Sequence, residues 1–144
     1  MTEARPATPW HLWVIGIVSL LWNAGGIMSY LMTELNMLDS LEMTPDQIAY
    51  FSSFPTWAVA FWAMGVWGAF IGSALILLRR KLAVTSFGIS IVGLIGTTYY
   101  ERFVGDLPES FNTAGQYAFA AAIWIITIAL FFYARAMTAR GVLR

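Results

Sequence analysis

The chain has no cysteine and a single histidine, His11, in 144 residues. The first absence excludes disulfides, thiolate catalysis and sulfur-rich metal sites. The second excludes a pair of imidazoles for haem or zinc, so neither a cofactor nor a metal is expected. Charge is scarce too: 11% of residues are Asp, Glu, Lys or Arg, where an ordinary soluble domain has about 25%. A small protein has a high surface-to-volume ratio and needs a large polar exterior in water. With 59% apolar residues, this chain lacks the material for one, and lipid must cover much of its surface. Eight basic and eight acidic side chains cancel, which gives no reason to expect nucleic acid as a partner.

What is present is apolar sequence in four uncharged runs, Trp10–Thr33, Phe54–Leu78, Leu82–Tyr100 and Thr113–Ala134. At about 19 to 25 residues each and about 1.5 Å per residue, all four reach across a hydrocarbon core. One charge at mid-membrane costs about 2.5–3.5 kcal/mol, so four runs without any are informative. Backbone groups in lipid must bond within their own segment, which makes the runs helices. The expected fold is all-α: one transmembrane domain over residues 1–144, an up-down-up-down four-helix bundle. Arg5 ahead of the first run gives it the look of a signal peptide. The run extends to Met32, too long for a signal core, and is read as a retained span.

Basic residues set the expected orientation. Arg79, Arg80 and Lys81 fill the turn between spans two and three; Arg135, Arg140 and Arg144 follow span four; Arg5 precedes span one. The other loops carry Glu34, Asp39, Glu42 and Asp46, then Glu101, Asp106 and Glu109, with Arg102 their only base. Basic loops stay cytoplasmic, so both termini are expected inside. In the first outer loop, Thr44-Pro45-Asp46-Gln47 reads as a capped helix start. Ile48, Phe51 and Phe54 follow at helical spacing, so a short helix is expected on the outer membrane surface. It would be a connector or a lid over the bundle, the connector being the commoner case. No Asn-x-Ser/Thr acceptor occurs in either outer loop. With the missing cysteines, this suits a bacterial inner membrane.

Membrane helices associate through close contact of small and polar residues, because lipid is as apolar as leucine. Span two carries Phe61, Gly65, Gly68 and Gly72 on one face, and span three carries Ser86, Ser90, Gly93 and Thr97 with the same spacings. Folded about Arg79 as an antiparallel hairpin, Gly72 comes level with Ser86, Gly68 with Ser90, Gly65 with Gly93, and Phe61 with Thr97. Span one has the stripe Gly16, Ser19, Asn23, Gly26 and Tyr30; span four has Gly115, Ala118, Ala122 and Ala129.

Candidates for binding a ligand or partner lie near mid-membrane. A buried Asn23 amide must bond something, another helix more commonly than a ligand. Trp22, Trp67 and Trp124 fall near the middles of spans one, two and four, with Trp62 nearby, and an indole N–H there wants an acceptor. These rings, with Tyr30 farther along the Asn23 stripe, would line a cavity for a flat or lipid-like ligand, contact a partner, or fill space beside glycines. Met28, Met32, Met37 and Met43 lie toward the outer side, but without histidine they do not make a haem site. Glu101 and Arg102 adjoin the outer end of span three, where a local ion pair worth about 0–1 kcal/mol is the default.

Function divides three ways. A non-catalytic accessory, scaffolding or ligand-binding module explains the apolar spans, the small-residue stripes and the central tryptophans. The alternative is a small transporter or a passive carrier of a neutral solute, with a homo-oligomer as one form open to it. Coupled carriers usually hold an ionisable residue within the membrane, and none stands inside these runs. An enzyme would have to rely on Tyr, Ser or interfacial charges, so no catalytic residue is expected. Besides the bilayer itself, a larger membrane complex or a second copy of the chain is the expected kind of partner.

Several stretches carry a resemblance: Phe54-Pro55-Thr56-Trp57; Trp62 to Ala69; Gly72-Ser73 ahead of Leu77-Leu78-Arg79-Arg80-Lys81; Trp22-Asn23-Ala24-Gly25-Gly26; and Thr44-Pro45. Over most of its length the chain resembles a family of small four-span bacterial inner-membrane proteins, some carrying a loose sugar-transporter description. The resemblance implies the same four-span fold and brings no catalytic or binding residues with it.

Overall fold

A computed structural model describes residues 7–35, 45–105 and 113–144. Its helices are α1 (Trp10–Glu34), α2 (Pro45–Ser52), α3 (Thr56–Leu77), α4 (Leu82–Tyr99) and α5 (Ala114–Ala139), with no strand among the described residues. α4 runs on through a π turn, Tyr100–Val104, in which the Gly105 N–H donates to the Tyr100 carbonyl at 2.7 Å. α1, α3, α4 with its π turn, and α5 are each long and apolar enough to cross a membrane. They alternate in direction, so the molecule is an all-α four-helix bundle. Residues Arg5, Met37, Asp39, Glu42, Met43, Thr44, Asp106 and Glu109, and the side chains of Gln47 and Phe51, lie outside the described part. α2 stops at Ser52, so Phe54 falls in the extended link that Pro55 imposes before α3.

Two helices end in the same way at the end that carries Arg79, Arg80 and Lys81, here the basic end. α5 continues to Ala139 instead of stopping at Ala134, because Arg135 holds its charge at the surface and the following residues are good helix formers. It is terminated by Gly141, at φ 78°. The Val142 N–H donates to Met137 O at 2.9 Å and the Gly141 N–H to Thr138 O at 3.0 Å, while Val142 and Met137 are both buried. This is the paired-bond stop for which a left-handed residue is required. α3 stops by the same two bonds, from Arg80 to Leu75 O at 2.8 Å and from Arg79 to Ile76 O at 2.9 Å. Here the left-handed residue is Arg79, at φ 56°. The two stops then join: the Arg144 N–H donates to Arg79 O, and Lys81 N–H to Arg144 O, each at 3.0 Å.

The α3–α4 hairpin is the tightest contact in the molecule. Ser86 Oγ donates to Gly68 O at 2.6 Å and Ser90 Oγ to Gly65 O at 2.7 Å. A helix carbonyl points about one turn toward the C-terminus, so these bonds set Ser86 beside Gly72 and Ser90 beside Gly68. A Cβ on Gly68 would come within 3.1 Å of Ser90 Cα, and one on Gly93 would run into the Gly65 backbone. At each end of this seam a ring lies over a glycine. Phe87 covers Gly72, and Phe61 covers Gly96 where Thr97 was expected. A ring needs a glycine under it, whereas Thr97 turns its hydroxyl back to Gly93 O at 2.9 Å.

Around the basic end the bundle is filled. Leu12, Ile76, Ala83, Phe87, Leu130, Ala134 and Met137 form one buried cluster with Val142 and Leu143. His11 Nδ1 and the Tyr133 hydroxyl, 2.7 Å apart, tie α1 to α5 there.

Candidate ligand site

At the other end, which carries Glu34, Asp46 and Glu101 and is here the acidic end, the spans do not close on one another. A cavity of about 640 Å³ runs from mid-bundle toward this end, within the range of about 300–1,000 Å³ typical of small-molecule sites. Every span contributes to its wall. Trp22, Asn23 and Gly25 come from α1, Trp62 and Val66 from α3, Leu94 and Thr98 from α4, and Phe119 and Trp124 from α5. The spacing follows from helix geometry, since positions three and four apart share a face.

Asn23 lies at the inner floor. Its Nδ2 donates to Ala69 O at 3.1 Å and to Ser73 Oγ at 2.9 Å, so the amide joins α1 to α3. The same residue borders the cavity, and its Oδ1 meets no donor among the described residues. Trp124 Nε1 donates to Thr98 Oγ1 at 3.2 Å, joining α5 to α4. Trp22 lies against Phe119 at 5.8 Å between ring centroids and spans the gap from α1 to α5. Trp62 is held edge-on by Tyr30 at 5.2 Å and touches Phe54 at 5.6 Å.

Two of the expected site residues stand elsewhere. Trp67 does not border the cavity; it is 37% exposed on the outside of α3 and makes an edge contact with Phe70. One position beyond Val66 means about 100° around the helix, which turns Trp67 away from the wall. Tyr30 reaches the site only through Trp62. The packing residues Gly72, Ser86 and Gly93 also stand clear of it, while Gly65 and Ser90 have the cavity on one side and the α3–α4 seam on the other.

Of the residues at the acidic end of the cavity, helical spacing singled out Phe54 alone, and as part of a surface helix. Tyr50 of α2 is buried, and Phe54 lies between it and Tyr100, edge-on to Tyr50 at 5.2 Å and tilted against Tyr100 at 4.7 Å between ring centroids. Both Tyr50 and Phe54 line the cavity, so the α2 segment covers it. Burial raises the Tyr50 phenol well above its ordinary pKa, with the Glu101 charge adding to the effect, and the hydroxyl stays protonated at physiological pH. Glu101, Arg102 and Gln116 complete the mouth. No salt bridge joins Glu101 to Arg102 among the described residues. The Arg102 guanidinium instead lies 4.5 Å from the centroid of Tyr117 on α5. Both charges fall within the π turn, and such turns are frequent at functional sites.

No protein-family model, curated protein or solved structure matches the chain.

Proposed function

We propose that the protein is a non-catalytic membrane module that binds a lipid-like ligand in the cavity between its four spans, alone or as the accessory subunit of a larger complex. One observation carries this reading: a 640 Å³ space, walled largely by aromatic and aliphatic side chains, lies within helices of membrane-spanning length. An apolar body suits those walls, and a polar head suits the cluster of Glu101, Arg102 and Gln116. In a bacterial inner membrane the basic end, with Arg79, Arg80 and Lys81, would face the cytoplasm. The cavity mouth would then open toward the outer leaflet.

The test is extraction into native lipid discs followed by analysis of what remains bound. A defined amphiphile at about one per chain after mild delipidation supports the reading. Only bulk lipid in its ordinary proportions contradicts it. A second reading, a small carrier working as a homo-oligomer, draws on Glu101 and Arg102 as ionisable groups bordering the cavity. Solute flux into vesicles that hold the protein, with nothing retained after extraction, would favour that reading.

A further inference from the structure

Resting on that ligand-binding reading, we infer that the mouth of the cavity selects amphiphiles with a zwitterionic ammonium–phosphate head, the ammonium set against Glu101 and the phosphate against Arg102. The argument begins with what these side chains do not do. They are neighbours in sequence, both border the cavity, and among the described residues they form no salt bridge with each other. Glu101 also has no hydrogen bond to the protein among those residues. The neighbouring Arg102 charge offsets part of the cost of a carboxylate in such a place without bonding to it, and a cation in direct contact would offset more. The Arg102 guanidinium carbon lies over the Tyr117 ring, 4.5 Å from its centroid, a contact that uses no hydrogen-bond acceptor, and a guanidinium fork matches a phosphate oxyanion.

The surroundings favour the same polarity order. Tyr50, Phe54 and Trp62 line the same cavity as Glu101, Tyr50 within reach of its charge, and aromatic faces attract ammonium groups at about 0.5–2 kcal/mol. Gln116, at the start of α5, adds an amide within the mouth beside Tyr117. A ligand with only a cation leaves Arg102 uncompensated; one with only an anion leaves Glu101 so. A zwitterion satisfies both and adds no net charge at the membrane surface.

The experiment uses the full chain in a neutral detergent, with tryptophan fluorescence read against four single-chain amphiphiles of equal tail length. These are lyso-phosphatidylethanolamine, lyso-phosphatidylcholine, lyso-phosphatidylglycerol and an alkyltrimethylammonium. Either zwitterion should bind about tenfold more tightly than the last two, one charge-assisted contact being worth about 1.5–3 kcal/mol. Glu101→Gln should cost the zwitterions about tenfold and leave the phosphatidylglycerol unchanged. Arg102→Gln should cost all the phosphate ligands and spare the alkylammonium. Equal affinity across the four overturns the head-group inference while leaving the cavity reading intact. If no amphiphile saturates, and Gly25→Leu changes nothing, the cavity reading fails with it.

Discussion

The two ends of this bundle are built from the same kinds of residue and do opposite things with them. At the basic end, Leu12, Ile76 and Phe87 are fully buried, and two helix stops are cross-bonded through Arg79, Lys81 and Arg144. Toward the acidic end, glycines and aromatics stand around an unfilled volume, closed by a short helix and a π turn. Burying leucine against leucine gains little over burying it in lipid, so neither end is held mainly by hydrophobic transfer. The basic end is stabilised by contact density and backbone bonds. The acidic end gives up contacts in the middle of the molecule, and that loss makes sense if a bound molecule restores them.

The contrast is most sharply probed by two glycines. Gly93 has the α3 backbone against it, with Phe61 O at 2.5 Å from where a Cβ would stand. Gly93→Leu must force the hairpin apart and should cost about 3 kcal/mol or abolish folded protein, read by thermal unfolding in detergent and by yield. Gly25 has nothing within 4 Å of its Cβ position and borders the cavity. The same change there should leave stability within about 1 kcal/mol of the parent, because the new side chain enters empty space. Equal damage at both sites would show that the cavity is not open.

Smaller effects follow in order. Asn23→Ala removes two bonds from α1 to α3, at 3.1 and 2.9 Å. Inter-helix bonds in membranes average about 0.6 and reach about 1.7 kcal/mol each, so unfolding should shift by about 1–2 kcal/mol. Tyr133→Phe removes the bond to His11 and should cost about 0.6 kcal/mol, without altering ligand affinity, since the pair lies at the far end from the cavity. Arg79→Gly relieves a side chain held at φ 56° and should stabilise by up to about 1 kcal/mol. A loss there would mean that the Arg79 side chain supports the turn.

The sequence made the spans and the α3–α4 seam legible because both depend on local rules. Uncharged length marks a span, and the 4-3-4 spacing of Phe61, Gly65, Gly68 and Gly72 marks a face that can approach closely. The candidate site was only partly legible. Asn23, Trp22, Trp62 and Trp124 stood out as polar or bulky groups at mid-membrane, but nothing in their spacing distinguished them from Trp67, which points outward. Tyr50 was missed, and Glu101 was read only as half of a local ion pair, for a different reason. Each is placed by tertiary structure, Tyr50 by how α2 folds back over the bundle and Glu101 by a π turn that hydrophobic periodicity does not encode. Adjacency in sequence made Glu101 and Arg102 look like partners, yet Tyr117 on another helix takes the guanidinium.

The central claim is that the space at the acidic end belongs to a ligand, and native mass spectrometry of the parent chain beside Gly25→Leu tests it most directly. The account predicts a retained amphiphile of discrete mass on the parent and its absence from the equally stable variant. The same adduct on both proteins, or on neither, would contradict it.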